Sequence, residues 1–570
     1  MGVKNWKLSG EIDENKVNEI RNRHALPKPV ALYFVSRGIE SKDIPGFLNP
    51  KLGNLSDPYR FPGIQEACAR LWQAIENRES ILIHGDYDTD GITASALLAL
   101  VLRQNGATVH SFIPHRFDDG YGFTPESLDK ALEAFGPCGV LVTVDCGITS
   151  CEAVDEAVKR GIDVIVTDHH EAGSELPKAL AVINAKVYPE LEDLQLLSGA
   201  GAAFKLSHAF IKYGREKNLG GFHTRLEEVL DYVALGTVAD IVPLLGENRI
   251  MVKFGIEILR KQLRPGVRAL IESSKLRSEL SPSDITFRMA PRINAAGRVG
   301  DANVALQLLE SSQIVEAYDC ASQLESFNRI RQEKEQEIYQ EACEQIERNL
   351  AWQSPYSLLV AGRDWHQGVI GIVASRLARD YNRPTIVLTI QGENAYGSGR
   401  SVPSLNLVEV LSTTSDLLER YGGHPMAVGV GLKADRIADF FEAMDKEIRK
   451  QLNSSDLESY ISYDGEVLLR DLSSDFFEYL GKLGPFGHSN PKPVYRFNEL
   501  HVARCNAVGG GAHTRGTLVS RDGEIDFIAF NKNPSCFYNK VIDVLATPQL
   551  NKHMDQEIPQ LCIVDFQESY

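Results

Sequence analysis

The chain has 570 residues, more than one hydrophobic core accommodates, so two to four domains are expected. Hydrophobic residues make up 43% and charged residues 24%, an ordinary globular composition, with no apolar run long enough to cross a membrane and no apolar leader in MGVKNWKLSGEIDENK. The 9 cysteines are scattered without a CxxC pair, which fits reduced cytoplasmic thiols and excludes a disulfide frame or zinc ribbon; the net charge of -17 says little about substrate, because a carboxylate-rich metal site adds charge that cations offset.

Residues 1–75 read as a mixed N-terminal extension with little chemistry. Over 76–300, compact β-branched runs alternate with helical patterns. ILIHG (81–85), VLVTVD (140–145) and VIVT (164–167) are expected to be buried parallel strands; ITASALLALVLRQ (92–104) and CEAVDEAVKR (151–160) are helical. The alternation implies an α/β layer with a parallel sheet. Residues 301–352 are expected to connect it to the next unit through a long helical stretch, 303–350, whose apolar stripe is Ile338, Ala342, Ile346 and Leu350; one-sided packing is preferred over a coiled-coil dimer. YSLLVAG (356–362), VIGIVASRL (369–377) and PTIVLTI (384–390) open a second α/β unit, 353–455, and short strands with Gly and Asn turns over 456–570 suggest a small β-barrel.

The segment His84-Gly85-Asp86-Tyr87-Asp88-Thr89-Asp90-Gly91 joins a strand to a helix. Its three carboxylates repel one another, and a divalent cation is the simplest relief. D-x-D-x-D-G also opens a calcium EF-hand loop, but the twelfth position is Leu97 instead of Glu and a strand precedes the loop, so that reading fails. Asp145 ends VLVTVD, Asp168-His169-His170 ends VIVT, and Asp240 closes YVALGTVAD, which places acidic or histidine side chains at four expected strand ends, where a parallel sheet binds its ligands. Asp168 is as readily a turn or cap residue; the histidine pair is harder to explain without a metal. Carboxylates with imidazole and no cysteine suit Mn²⁺ or Mg²⁺ better than structural zinc.

DYDTDG, VDCG, TDHH and ALGTVADIVPL, in this order, resemble the successive motifs of the DHH phosphoesterase family. The similarity is closest to its bacterial single-stranded-DNA exonucleases, through Pro114, Arg116, GYG (120–122), LSGAGAAFKL (197–206), PRINAAGR (291–298), WHQGVIGIVASRL (365–377), GSGRS (397–401), GGH (422–424) and PFGHSNPKPVY (485–495). The resemblance implies a DHH domain, a connecting helix, a DHH-associated α/β domain and a C-terminal OB-type barrel. It implies two metal ions: Asp88, perhaps with Asp86, on one; Asp90, His169 and Asp240 on the other; Asp145 bridging; and His170 facing the scissile phosphate. His84 is left as an outer residue of the centre.

GSGRS joins small residues, which let backbone approach a phosphate, to a guanidinium fork; a tight turn with a surface Arg400 is the plain alternative. The resemblance favours Ser398 and Arg400 in a pocket for a 5′-terminal phosphate, with Arg116 and Arg298 beside them and His424 toward the metal cleft. It also implies 5′→3′ polarity, a single-stranded DNA substrate, roles in repair and recombination, and partnership with a RecQ-type helicase and a single-strand-binding protein. In the barrel, Lys492, Arg496, Arg504, His513, Arg515 and Arg521 are candidate DNA contacts, with Tyr495 and Phe497 as stacking platforms. Two rivals remain: another enzyme of the family, such as an oligoribonuclease or cyclic-dinucleotide phosphodiesterase, and a non-catalytic DNA-binding relative.

Overall fold

Short, largely buried runs rich in Ile and Val are satisfied in a sheet covered on both sides, and that is how the chain begins its α/β layer. The computed structural model describes residues 5–116, 122–276, 279–348, 350–553 and 556–569. The chain forms two units: Asp57–Asp240 with Gly255–Ser459, and Met1–Ser56 with Ile241–Phe254 and Tyr460–Tyr570.

In the larger unit, β1 (Ser80–Gly85) leads through α1 (Thr89–Gln104) to β2 (Thr108–Phe112), and α2 (Pro125–Phe135) leads to β3 (Val140–Val144). After α3 (Cys151–Lys159) come β4 (Asp163–Thr167) and β5 (Ala181–Ile183). All pairings are parallel, in the order β2-β1-β3-β4-β5. The chain moves one way from β1 to β2 and the other way from β1 to β3, so the carboxyl ends of β1 and β3 flank a topological switch point. The helices α4 (Gly199–Glu216) and α5 (Leu230–Ala239) pack against α1.

The run ending in Asp240 is therefore a helix, a correction to the fourth expected strand end. Every residue from Leu230 to Val238 is buried, so the run has no polar face to reveal its helical period, and a short apolar stretch of this kind does not distinguish strand from helix. The expected stretch 303–350 is broken: α6 (Ala290–Val299) and α7 (Asn303–Glu310) precede a long α8 (Ile314–Glu347). Ile338, Ala342 and Ile346 of α8 pack on Val369, Val373 and Leu377, but Leu350 lies beyond the helix end and is 66% exposed.

The second sheet contains β6 (Leu358–Arg363), then α9 (Gln367–Tyr381), β7 (Thr385–Gln391), β8 (Asn394–Arg400), β9 (Arg420–His424) and β10 (Ala427–Lys433). Its order is β9-β10-β8-β7-β6, closed at the far edge by Trp352–Gln353. The smaller unit is built on a closed barrel of β11 (Tyr495–Val508), β12 (His513–Ser520), β13 (Gly523–Ala529), β14 (Val541–His553) and β15 (Gln556–Glu568), in the order β11-β12-β13-β15-β14. The segment Asn5–Leu8 pairs in parallel with Tyr460–Tyr463 in this unit, and residues of the N-terminal helices, such as Val30 and Phe34, share the barrel's core.

Candidate metal centre

The acidic loop turns directly from β1 into α1. Asp88 is the N-cap of α1, and its Oδ1 accepts from the backbone N–H groups of Asp90 (2.9 Å) and Gly91 (3.2 Å). Thr89 is pinned from the other side by Asn294 Oδ1, which accepts from its backbone N–H (2.8 Å) and hydroxyl (2.7 Å). Asn294 is one contribution of PRINAAGR, and nothing in its local sequence announces that contact.

Both oxygens of Asp90 accept hydrogen bonds at the start of α4, from Gly199 N (2.6 Å) and Ala200 N (3.0 Å). The free N–H groups of a helix N-terminus suit a carboxylate, which explains LSGAGAAFKL: its glycine lets backbone lie against the acidic cluster. Asp145 follows β3 in the left-handed region (φ 60°), a conformation aspartate tolerates better than most residues. Asp240 arrives as the C-cap of α5.

These elements bring the expected ligands together. Ligand atoms lie within 4.8 Å of one another in three groups: Asp86, Asp88 and Asp145; Asp90, His169 and Asp240; and Asp145, His169 and His170. His169 Nε2 is 3.1 Å from Asp145 Oδ1 and 3.5 Å from Asp240 Oδ2. Asp145 and His169 each belong to two of the groups, so together they link all three. His84 belongs to none; its Nε2 is 2.9 Å from Ser127 Oγ, in the capping box of α2, so it ties the end of β1 to that helix.

Burial, then the neighbouring Asp88 charge, pushes Asp86 up to about 8 and Asp90 up to about 7. Burial, then Asp90, pushes Asp240 up to about 8 and holds Asp145 well above the usual carboxylate range. Burial, then the adjacent His170, drops His169 to about 3, so this ring is neutral with a lone pair to offer. His170 differs: burial opposes its charge, but the Asp168 hydrogen bond (Nδ1–Oδ1, 2.8 Å) outweighs it and holds the ring at about 9. Asp168 is itself fixed by the backbone N–H groups of Ile148, His169 and His170, so it orients His170.

Metal ions fit this donor set. Asp86 Oδ1, Asp145 Oδ1 and His169 Nε2 are buried and have no hydrogen-bond partner, a costly state that a shared cation relieves. Carboxylates with one or two imidazoles and no thiolate are hard ligands suited to Mn²⁺ or Mg²⁺.

A cleft of about 630 Å³ opens from Asp86 and Asp88 toward the second sheet, and Arg116, Arg298, Ser398 and Arg400 line it. Arg400 donates from Nη1 to Ser398 Oγ and to Gly399 O, both 2.8 Å, while Arg298 donates to Gly368 O (3.1 Å). Burial, then the Arg116 charge, pushes Arg298 down to about 10 and lowers Arg400. Three clustered cations lining one cleft call for an anion. His424 is exposed at the end of β9 and does not line the cleft, contrary to expectation; it shares a sheet face with Arg400 across Ala427 but sits at the open edge. Tyr87, Tyr396, Arg420 and Tyr421 line the cleft and were not foreseen. Alternation could have found Tyr396, which precedes Ser398 and Arg400 at every second position. Gly120 and Tyr121 of the GYG motif lie outside the described residues.

The barrel corrects another expectation. Tyr495 and Phe497 are 0% and 1% exposed, because both point to the inner face of β11 and join the core. They cannot stack bases. Arg496 lies between Asp543 (3.0 Å) and Glu466 (3.6 Å), Arg515 and Arg504 face Asp526 (3.3 and 3.7 Å), and Arg521 is 3.9 Å from Asp522. His513 packs edge-on against Phe530, and Lys492 is exposed.

The DHH family N-terminal domain matches residues 80–237, the DHHA1 domain 355–450, and the RecJ OB domain 463–565. The chain is 34% identical over 572 residues to the single-stranded-DNA-specific exonuclease RecJ of Bacillus subtilis (strain 168), covering 98% of this chain and 70% of that one. It is 38% identical over 550 residues to the protein of the same name from Dickeya dadantii (strain 3937), covering 91% and 93%. The crystal structure of RecJ in complex with Mn²⁺ from Thermus thermophilus is similar with TM-score 0.83 and 29% identity over 99% of this chain and 80% of that one. Its Mg²⁺ complex gives TM-score 0.78 and 27% identity over 99% and 79%.

Proposed function

The chain belongs to the RecJ family of single-stranded-DNA-specific exonucleases, and we propose that it removes mononucleotides from the 5′ end of a single strand. It is a metal-dependent hydrolase of single-stranded DNA, using Mn²⁺ or Mg²⁺. The observation that carries the site assignment is the convergence of Asp86, Asp145 and His169 through buried, unpartnered donor atoms, with Asp86 also lining an arginine-lined cleft.

Asp86 and Asp88 would hold one ion, Asp90, His169 and Asp240 the other, with Asp145 between them. The ions supply Lewis acidity, offsetting charge on the phosphoryl oxygens and easing deprotonation of water. The protein's own groups do the rest. Arg116, Ser398 and Arg400 hold the terminal 5′ phosphate, and Arg298 holds the strand behind it, so the scissile bond sits at a fixed distance from the carboxylates. His170, kept charged by Asp168, donates a proton to the departing 3′ oxygen. A pocket that closes on one phosphate terminus gives both exonuclease action and polarity.

The reading extends to the protein's setting. An enzyme that takes only single strands needs duplexes opened, so a RecQ-type helicase and a single-strand-binding protein are its partners, in cytoplasmic DNA repair and recombination. No helix of the described residues is long and apolar enough to cross a membrane.

The test is digestion of single strands labelled at one end or the other, with Mn²⁺, by the wild type and Asp145→Ala. Immediate release of 5′-labelled mononucleotide by the wild type alone, with blunt duplex left intact, is expected. Release from the 3′ end first would overturn the polarity; hydrolysis of dinucleotides with DNA untouched would move the chain to another branch of the phosphoesterases.

A further inference from the structure

Arg420 is an arginine with no carboxylate partner among the described residues, laid on an aromatic ring at the edge of the cleft. Its Cζ is 4.8 Å from the centroid of Tyr396, and it makes no hydrogen bond or ion pair among the described residues. The neighbouring carboxylate, Glu419, pairs instead with Lys433 (3.3 Å). Arg420 reaches the ring by crossing an entire strand. Tyr396 of β8 stands opposite Gly431 of β10, and Gly431 stands opposite Arg420 of β9. Only a glycine permits this: a Cβ at 431 would lie 2.8 Å from Arg420 Cγ and 3.0 Å from its Nε. Arg420 is solvent-exposed, and the gap at Gly431 lets its guanidinium reach over the Tyr396 ring.

The next row on the same face holds Ser398, Gly429 and Gly422. A Cβ on either of these glycines would meet nothing within 4 Å, so the floor beside Ser398 is open. Ser398 and Tyr396 are two residues apart along an extended strand, about 6.7 Å, a separation comparable to that between a nucleotide's 5′ phosphate and its own base.

From this geometry, and resting on the exonuclease reading above, we propose that Arg420, backed by Tyr396, is a stacking platform for the terminal nucleobase whose phosphate is held at Ser398 and Arg400. Guanidinium planes and aromatic rings stack on nucleobases, and such stacking tolerates any sequence because every base has a π-face. The platform therefore reads whether a base is present, not which one. It couples phosphate capture to an unstacked, single-stranded end: a base still stacked in a duplex cannot lie on the platform. A strand whose terminal nucleotide has lost its base loses this contact.

The experiment compares kcat/KM on 5′-phosphorylated single strands that differ only in the first nucleotide, adenine-bearing or an abasic tetrahydrofuran. The wild type is expected to favour the base-bearing strand by on the order of tenfold. In Arg420→Ala and in Gly431→Ala, which dislodges the guanidinium while keeping it, the ratio falls toward one because the base-bearing strand slows. Arg420→Lys, which keeps charge but not the plane, behaves like Arg420→Ala. A Lys variant equal to wild type, or variants that slow both strands by the same factor, would make Arg420 a phosphate contact and overturn the platform. Equal wild-type rates on both strands would overturn it while leaving the exonuclease reading intact; no release from either strand would overturn both.

Discussion

Asp145 combines a left-handed backbone with membership of two ligand groups, so its substitution acts on the whole centre. Asn tolerates the same φ and has the same shape, which makes Asp145→Asn a test of charge rather than of folding. Titration with Mn²⁺ should show both binding events lost, with affinity reduced by more than the roughly 10–100-fold typical of outer residues around a metal; retention of one tight site would remove Asp145 from the bridging position. The carboxylates also set a pH signature. In the metal-free protein Asp86, Asp90 and Asp240 are raised to about 8, 7 and 8, mainly by burial, whereas in the unfolded chain they return to about 4. The folded state then holds protons that the unfolded state has released. That stabilisation is complete below about pH 4 and is lost as pH rises through about 7 to 8. The Tm of EDTA-treated protein should accordingly fall between about pH 5 and 9, and saturating Mn²⁺ should remove the fall by taking the protons' place. A Tm rising with pH in the stripped protein would contradict the picture of buried, protonated carboxylates.

At the scale of elements, the centre is assembled by backbone ends: the carboxyl ends of β1, β3 and β4, the N-terminus of α4 and the C-terminus of α5. A Cβ on Gly199 at the start of α4 would overlap Asp145 Oδ1. Gly199→Ala should therefore displace Asp145 and weaken Mn²⁺ binding by about 10–100-fold with little change in helix content by circular dichroism; unchanged affinity would mean that α4 can slide without consequence. The strand ends were legible because β1, β3 and β4 are short β-branched runs with an acidic or histidine residue immediately after them. Asp240 was legible as a candidate ligand but not as a helix cap, since an all-buried helix carries no periodic signal. The inward register of Tyr495 and Phe497 depends on which face of β11 meets the barrel core, and that is decided by partners far away in sequence. The same holds for Arg420 and Tyr396: their meeting rests on Gly431 standing between them, a pairing that local sequence does not specify.

For the whole molecule, the decisive feature is that the smaller unit is discontinuous: residues 1–56, 241–254 and 460–570 build it together. Its interior is tied by polar contacts between these pieces. Tyr33 donates to Asn490 Oδ1 (2.5 Å), Arg37 is paired to Asp464 (2.6 Å), and Tyr495 donates to Pro29 O (2.7 Å). Arg249, only 2% exposed, donates to the carbonyls of Phe47, Lys482, Leu483 and Gly484 over 2.8–3.2 Å, with no carboxylate among these acceptors, and burial pushes it down to about 10. Replacing it with Leu leaves several buried carbonyls unsatisfied, at about 1–3 kcal/mol each before relaxation, so Arg249→Leu should lower the stability of this unit by about 3 kcal/mol or more in urea unfolding, with Mn²⁺ affinity preserved. By the same logic a cut at Ser459 leaves the N-terminal piece of the smaller unit without its partners. That cut removes the strand Tyr460–Tyr463 that pairs with Asn5–Leu8 and strips the core from Val30, Phe34 and the other N-terminal apolar residues packed on the barrel. The truncated chain should aggregate or bind a hydrophobic dye strongly, and deleting residues 1–56 as well should relieve this, because the stripped apolar residues lie in that segment. A soluble, cooperatively unfolding fragment ending at 459 would show that the three pieces are independent after all.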